Sequence, residues 1–148
     1  MKDDVRELHE VLLDLVGILN EPRRDDAMIA KAGIALDRAL FPLLVRIERR
    51  GPIGVVELAD LSGRDYTTVS RQVAKLDSLG LVTRRAGKED RRMREAIVTK
   101  KGVAMTKALD KAREATIGPK LSRWSEQDRK QLIRLLRKLV EDARTTGT

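Results

Sequence analysis

A mostly α-helical fold with one small β-hairpin is what this chain predicts, from three observations. Residues 55–79 read as two short helices with apolar faces, separated by the tight turn Ser62-Gly63-Arg64. Residues 81–99 have flanks rich in β-branched residues around a middle that holds Gly87 with charged neighbours, as a hairpin with a long loop does. Both ends of the chain repeat leucine and valine three and four apart, the spacing of an apolar stripe on a helix. Together these are the plan of a winged helix-turn-helix flanked by N- and C-terminal dimerisation helices. The 148 residues are about the size of a single domain, with arms at 1–20 and 100–148 and the winged region at 37–99.

Taken in order, the first helix carries Val5, Leu8, Leu12, Leu15 and Leu19 along one stripe. Asn20 to Ala35, with Pro22, the run Arg23-Arg24-Asp25-Asp26 and Gly33, reads as a loop. A second helix is expected over Asp37 to Arg49. Leu40, Phe41, Leu44, Val45 and Ile47 supply its core face, and Pro42 falls in its first turn, where proline is tolerated. Val56, Leu58, Ala59 and Leu61 form the apolar face of the third. Asp65 stands as N-cap of the fourth, whose Val69, Val73 and Leu76 recur at i, i+4 and i+7 before Gly80 ends it. Leu81 to Arg85 and Arg94 to Thr99 form the hairpin, with Ala86 to Met93 between them. Thr99 can cap a helix through Val103, Leu109 and Ala112, which Gly118-Pro119 should kink or end. Ser125-Glu126-Gln127-Asp128 starts a last helix with Leu132, Leu135, Leu136, Leu139 and Ala143 on one face. The tail Thr145 to Thr148 should fray.

The chemistry gathers on the helix after Gly63. Opposite Val69 and Val73 it carries short hydroxyls, a small residue and two cations. Such a face can approach a DNA groove closely and hydrogen-bond to phosphates and base edges. Recognition helices contact bases through their N-terminal residues, so Thr67, Thr68, Ser70 and Arg71 are the candidates for reading sequence and Lys75 for phosphate. The hairpin adds Arg84, Arg85, Lys88, Arg91, Arg92 and Arg94 against Glu89 and Asp90. A cationic tip suits a narrow minor groove, with Arg91 and Arg92 as contacts. Asp90 would be repelled by phosphate unless it pairs within the loop, so its expected role is to support a wing arginine.

Glu57-Leu58-Ala59, Thr68-Val69-Ser70-Arg71-Gln72-Val73, Leu79-Gly80-Leu81-Val82, Asp90-Arg91-Arg92 and Val98-Thr99-Lys100-Lys101-Gly102 follow one another in an order that resembles the MarR family of bacterial transcriptional regulators. Asp90 and Arg92 fit the family's Asp-x-Arg at the wing tip. The resemblance implies that Arg92 enters the minor groove and that the outer helices interdigitate in a homodimer. Two reading units then match a palindromic operator on double-stranded DNA, with half-sites about 10 to 10.5 base pairs apart. It also implies a small aromatic or amphipathic effector in a crevice beside the dimer arms, for which His9, Leu13, Val16, Phe41 and Val45 are the candidate lining.

Composition narrows the alternatives. The net charge of +8 fits a polyanion, but its distribution does not single out the wing: residues 64–94 carry +5 and residues 100–148 carry +7, against −3 for residues 1–20. With no cysteine, disulfides, thiolate zinc sites and thiol switches are excluded. The three aromatics, Phe41, Tyr66 and Trp124, are too few for a base-stacking platform. His9-Glu10 opens like a zinc-protease helix, but Leu13 stands where the second histidine belongs; no P-loop, nucleophile elbow or dinucleotide fingerprint is present. The expectation is a cytoplasmic regulator, a repressor released by its effector, with no catalytic activity, cofactor, metal or membrane association. The competing reading is an architectural DNA-binding or protein-interaction module without operator choice.

Overall fold

The computed structural model describes residues 1–21, 30, 33 and 36–145. The loop expected from Asn20 to Ala35 and the tail beyond Thr145 lie almost wholly outside these residues. The described chain runs α1 (Lys2–Leu19), α2 (Phe41–Arg50), β1 (Ile53–Gly54), α3 (Val55–Ser62), α4 (Tyr66–Ser78), β2 (Val82–Ala86), β3 (Arg94–Val98), α5 (Lys100–Leu121) and α6 (Glu126–Thr145). It divides into two compact units, residues 1–112 and 113–148.

In the first unit, β2 and β3 pair antiparallel from Val82 opposite Val98 to Ala86 opposite Arg94, and β1 adds to the far edge of β3 through Ile53 opposite Ala96. The sheet order is therefore β1-β3-β2. The two-residue β1 was not foreseen, being too short to show periodicity. Leu44 and Ile47 of α2, Leu58 of α3, Val69, Val73 and Leu76 of α4, Leu81 beside the sheet and Leu109 of α5 are completely buried in one core. Each such side chain contributes roughly 1.5–3 kcal/mol relative to exposure. This core fixes how α4 and the hairpin sit with respect to each other.

α2 begins at Phe41 rather than Asp37. Pro42 sits at the helix start, where its missing N–H costs nothing, and residues 38–40 form a turn before it. α3 ends at Gly63, whose φ of 64° is left-handed, and Arg64 then donates its N–H to the Ala59 carbonyl at 3.2 Å. A side chain there would be strained, which explains the glycine in the turn.

The second unit holds the end of α5 and α6. α5 runs two residues past Pro119 instead of breaking at Gly118-Pro119, with Ser122 N–H donating to the Gly118 carbonyl at 2.8 Å. Pro119 lacks the N–H that would donate to the Ala115 carbonyl, and the helix closes two residues later. The Ser125 hydroxyl accepts from Asp128 N–H at 3.1 Å and starts α6, as its sequence indicates. Arg129 braces the corner by donating to the carbonyls of Leu121 and Trp124 at 3.2 and 3.1 Å.

Candidate nucleic-acid interface

The candidate interface begins at the N-terminus of α4. Asp65 caps it: one carboxylate oxygen accepts from Thr68 N–H at 3.0 Å and the other from the Thr68 hydroxyl at 2.6 Å. The hydroxyl bond first, and then the backbone bond, hold the Asp65 carboxyl below its ordinary value of 3.8. Thr68 was expected to read bases; in the structure its hydroxyl proton is committed to the cap, and its side chain is half-buried. Thr67, Arg71 and Lys75 are exposed in one line at i, i+4 and i+8, while Ser70 is half-buried beside them. Tyr66, 54% exposed in the first turn, lies on the side of Val69 and Val73 at i−3 and i−7, away from the line of Arg71 and Lys75.

The wing tip is residues 87–93, bridged at its base by Gly87 N–H donating to the Met93 carbonyl at 2.7 Å. Asp90 Oδ1 accepts from Arg92 N–H at 3.0 Å, and the Asp90 carbonyl accepts from Met93 N–H at 3.1 Å. The carboxylate therefore restrains the backbone and not a guanidinium, and Arg91 and Arg92 remain exposed. Two of the hairpin's cations have carboxylate partners. Arg84 pairs with Asp77 of α4 at 2.8 Å, and Arg85 lies 3.6 Å from Glu95 on the neighbouring strand. These two arginines brace the wing root. The register that sets Arg85 opposite Glu95 was not legible without the strand pairing.

The candidate effector residues are not brought onto one surface. Phe41 and Val45 are 5% and 7% exposed, closed into the core by the apolar face of α2, whereas His9, Leu13 and Val16 lie on α1, none of whose residues is buried. Among the described residues no cluster of histidine and acidic side chains could hold a metal ion, and no helix is long and apolar enough to cross a membrane.

Comparison with known proteins agrees with this geometry. A family model described as HVO_A0114 matches residues 36–98, the winged region. The chain is similar to YxaD of Bacillus subtilis (strain 168), an HTH-type transcriptional regulator, at 32% identity over 104 residues that cover 70% of this chain and 73% of that one. Its fold is similar to the crystal structure of MarR, with TM-score 0.69 and 28% identity over 90% of this chain and 93% of that one. The chain belongs to the MarR family. A MarR transcriptional regulator from Methanosarcina mazei Go1 is similar over 80% of this chain and 84% of its own, with TM-score 0.66 and 25% identity. Membership of the MarR family makes the protein a DNA-binding transcriptional regulator, and α3 and α4 with the hairpin are its winged helix-turn-helix.

Proposed function

We propose that this MarR-family regulator is a repressor that binds a palindromic operator as a homodimer and is released by a small molecule. The observation that carries the reading is α1: eighteen residues, an apolar stripe of Val5, Leu8, Leu12, Leu15 and Leu19, and not one of them buried. Leucines left in water on a regular seam call for a partner surface, since each gains roughly 1.5–3 kcal/mol when covered. α6 repeats the situation, with Leu132, Leu135 and Leu136 exposed on one face. A second copy covers both, and two-fold symmetry then presents two α4 helices to two inverted half-sites.

Thr67, Ser70 and Arg71 read the major groove, Lys75 holds phosphate, and Arg91 and Arg92 enter the minor groove on the wing, with Thr68 acting through the cap of α4. Occupying a promoter is enough to block polymerase, which favours repression, and a protein that acts on genomic DNA belongs in the cytoplasm. The releasing signal is a small aromatic or amphipathic molecule, as the family resemblance implies, and His9, Leu13 and Val16 are the residues open to it.

Fluorescence anisotropy tests the reading. The full chain is titrated into labelled duplex from upstream of its own gene and into scrambled duplex of the same length. Preference for the first, at a stoichiometry of two chains per site, is the expected result. Equal binding to both would replace operator recognition with an architectural role.

A further inference from the structure

The C-terminal end of the recognition helix is held by the residues that begin α5. α4 closes on a left-handed Gly80, φ 75°, with Gly80 N–H donating to the Asp77 carbonyl at 2.9 Å and Leu81 N–H donating to the Leu76 carbonyl at 3.0 Å. That arrangement leaves the next carbonyls, of Leu79, Gly80 and Leu81, without partners in the helix. All three are bound from one place. Lys101 Nζ donates to Leu79 at 2.9 Å, the Thr99 hydroxyl to Gly80 at 2.7 Å, and the Thr99 N–H to Leu81 at 3.0 Å. The Thr99 hydroxyl oxygen also accepts from Gly102 N–H at 3.1 Å, so one side chain caps α5 while it grips the end of α4. Gly102 lies so close to the Leu81 carbonyl oxygen that a Cβ there would overlap it.

We infer that Thr99 and Lys101 are positioning residues that lock the direction of the recognition helix to that of α5, and through that lock set the half-site spacing the regulator accepts. Neither needs to touch DNA for this role. A dimer reads two half-sites at a separation fixed by how rigidly each α4 is carried. Three bonds from a single junction, two of them from Thr99, make α4 and the start of α5 one body. This step rests on the homodimer reading proposed above, but the rigidity of the joint can be measured without DNA.

The chain contains no cysteine, so Thr67→Cys and Lys107→Cys, both at exposed positions on α4 and α5, place two spin labels at defined sites. Labelled chains are diluted in unlabelled protein so that each assembly holds one labelled copy. Pulsed dipolar spectroscopy should give a narrow distance distribution with Thr99 and Lys101 intact, a broader one with Thr99→Val or Lys101→Met, and a narrow one with Thr99→Ser, which keeps the hydroxyl. In parallel, the unlabelled parent selects its site from a random duplex library. Affinities for that site with the spacer lengthened or shortened by one or two base pairs are then measured for each unlabelled variant. The expected parent profile is sharp, and Thr99→Val and Lys101→Met should flatten it at least severalfold while Thr99→Ser preserves it. Lys101 is exposed, so its variant reports even where Thr99→Val fails to fold.

Narrow distributions in both disruptive variants would overturn the lock. Broad distributions with an unchanged spacing profile would overturn its role in specificity. A parent that selects no duplex sequence would instead defeat the operator reading, and the lock would then stand or fall on the distances alone.

Discussion

Asp90 and Arg92 are joined through the backbone: the carboxylate of one takes the main-chain N–H of the other at 3.0 Å. The bond folds the wing tip into a local turn and leaves the Arg92 side chain exposed. It separates two functions that the sequence motif alone runs together, since the acid shapes the loop and the arginine reaches outward.

Arg92→Ala should therefore cost operator affinity while the melting temperature and the dimer stay as they were. A charge-assisted contact is worth about 1.5–3 kcal/mol, and the proposed dimer loses two. Arg92→Lys should recover only part of the loss, and sensitivity to A·T content in the flanking base pairs should disappear with the arginine. Anisotropy on operators with A·T-rich and G·C-rich flanks measures this, and parent-like binding by Arg92→Ala on both would remove the wing from the docking scheme.

Asp90→Ala should weaken binding by a different route. With the turn to Arg92 lost, the loop samples more conformations and ordering it on DNA costs entropy. The loss should appear without any change in preference between flanks, and hydrogen exchange at residues 91–93 should rise. Unchanged exchange would mean that the turn is held by its backbone bonds alone.

On α4, Arg71→Ala should cost about 1–3 kcal/mol on the preferred site and flatten discrimination among sequences. Lys75→Ala should weaken all duplexes alike. Competition against a panel of single-base operator variants distinguishes the two, and an Arg71 variant with parent-like selectivity would make Arg71 a phosphate clamp.

The Asp65 cap sets a pH dependence. Its folded-state carboxyl titrates below 3.8, chiefly because the Thr68 hydroxyl and then the Thr68 N–H donate to the charged form. A group shifted in this direction gives its full stabilisation above the unfolded-state value and loses it as the pH falls through the lower folded-state value. Thermal melts of the parent should accordingly drop faster than those of Asp65→Asn on acidification below about pH 4. Parallel curves would show that the cap contributes equally in both charge states.

Deleting residues 125–148, or replacing Leu136 with Asp, should abolish the dimer and operator binding together, since an unpaired charge in a covered apolar seam is costly. Sedimentation velocity and anisotropy on the same samples check this. A monodisperse monomer with full affinity for the operator would overturn the arm reading.

Periodicity made the helices legible, because Val69, Val73 and Leu76 or Leu44 and Ile47 state their face by spacing alone, and the glycines at 63 and 80 marked the ends of α3 and α4. What spacing does not encode is which residues meet across the fold. A hydroxyl on an N-terminal turn serves DNA or a cap equally well, and only the fold shows that the Thr68 proton is given to Asp65. Spacing puts Phe41 and Val45 on the core face of α2 while the family resemblance offers them to a crevice, and both are buried in the same core as Leu58 and Val69. The pairing of Arg84 with Asp77 and the grip of Lys101 on Leu79 join residues 7 and 22 positions apart, beyond any local pattern.

The pairs of Arg84 with Asp77 and of Arg85 with Glu95 bear on ionic strength. A phosphate neutralised by a cation releases condensed counterions, and each contributes roughly 0.9 to the slope of log affinity against log salt. Guanidinium groups already matched to carboxylates at the wing root have little to exchange with the backbone of DNA. The slope for this regulator should therefore count the tip of the wing and the face of α4, not the formal charge of the hairpin. A regulator with a shallower slope than its basic sequence implies would hold its sites through changes of cellular salt that would strip a protein relying on every arginine it carries.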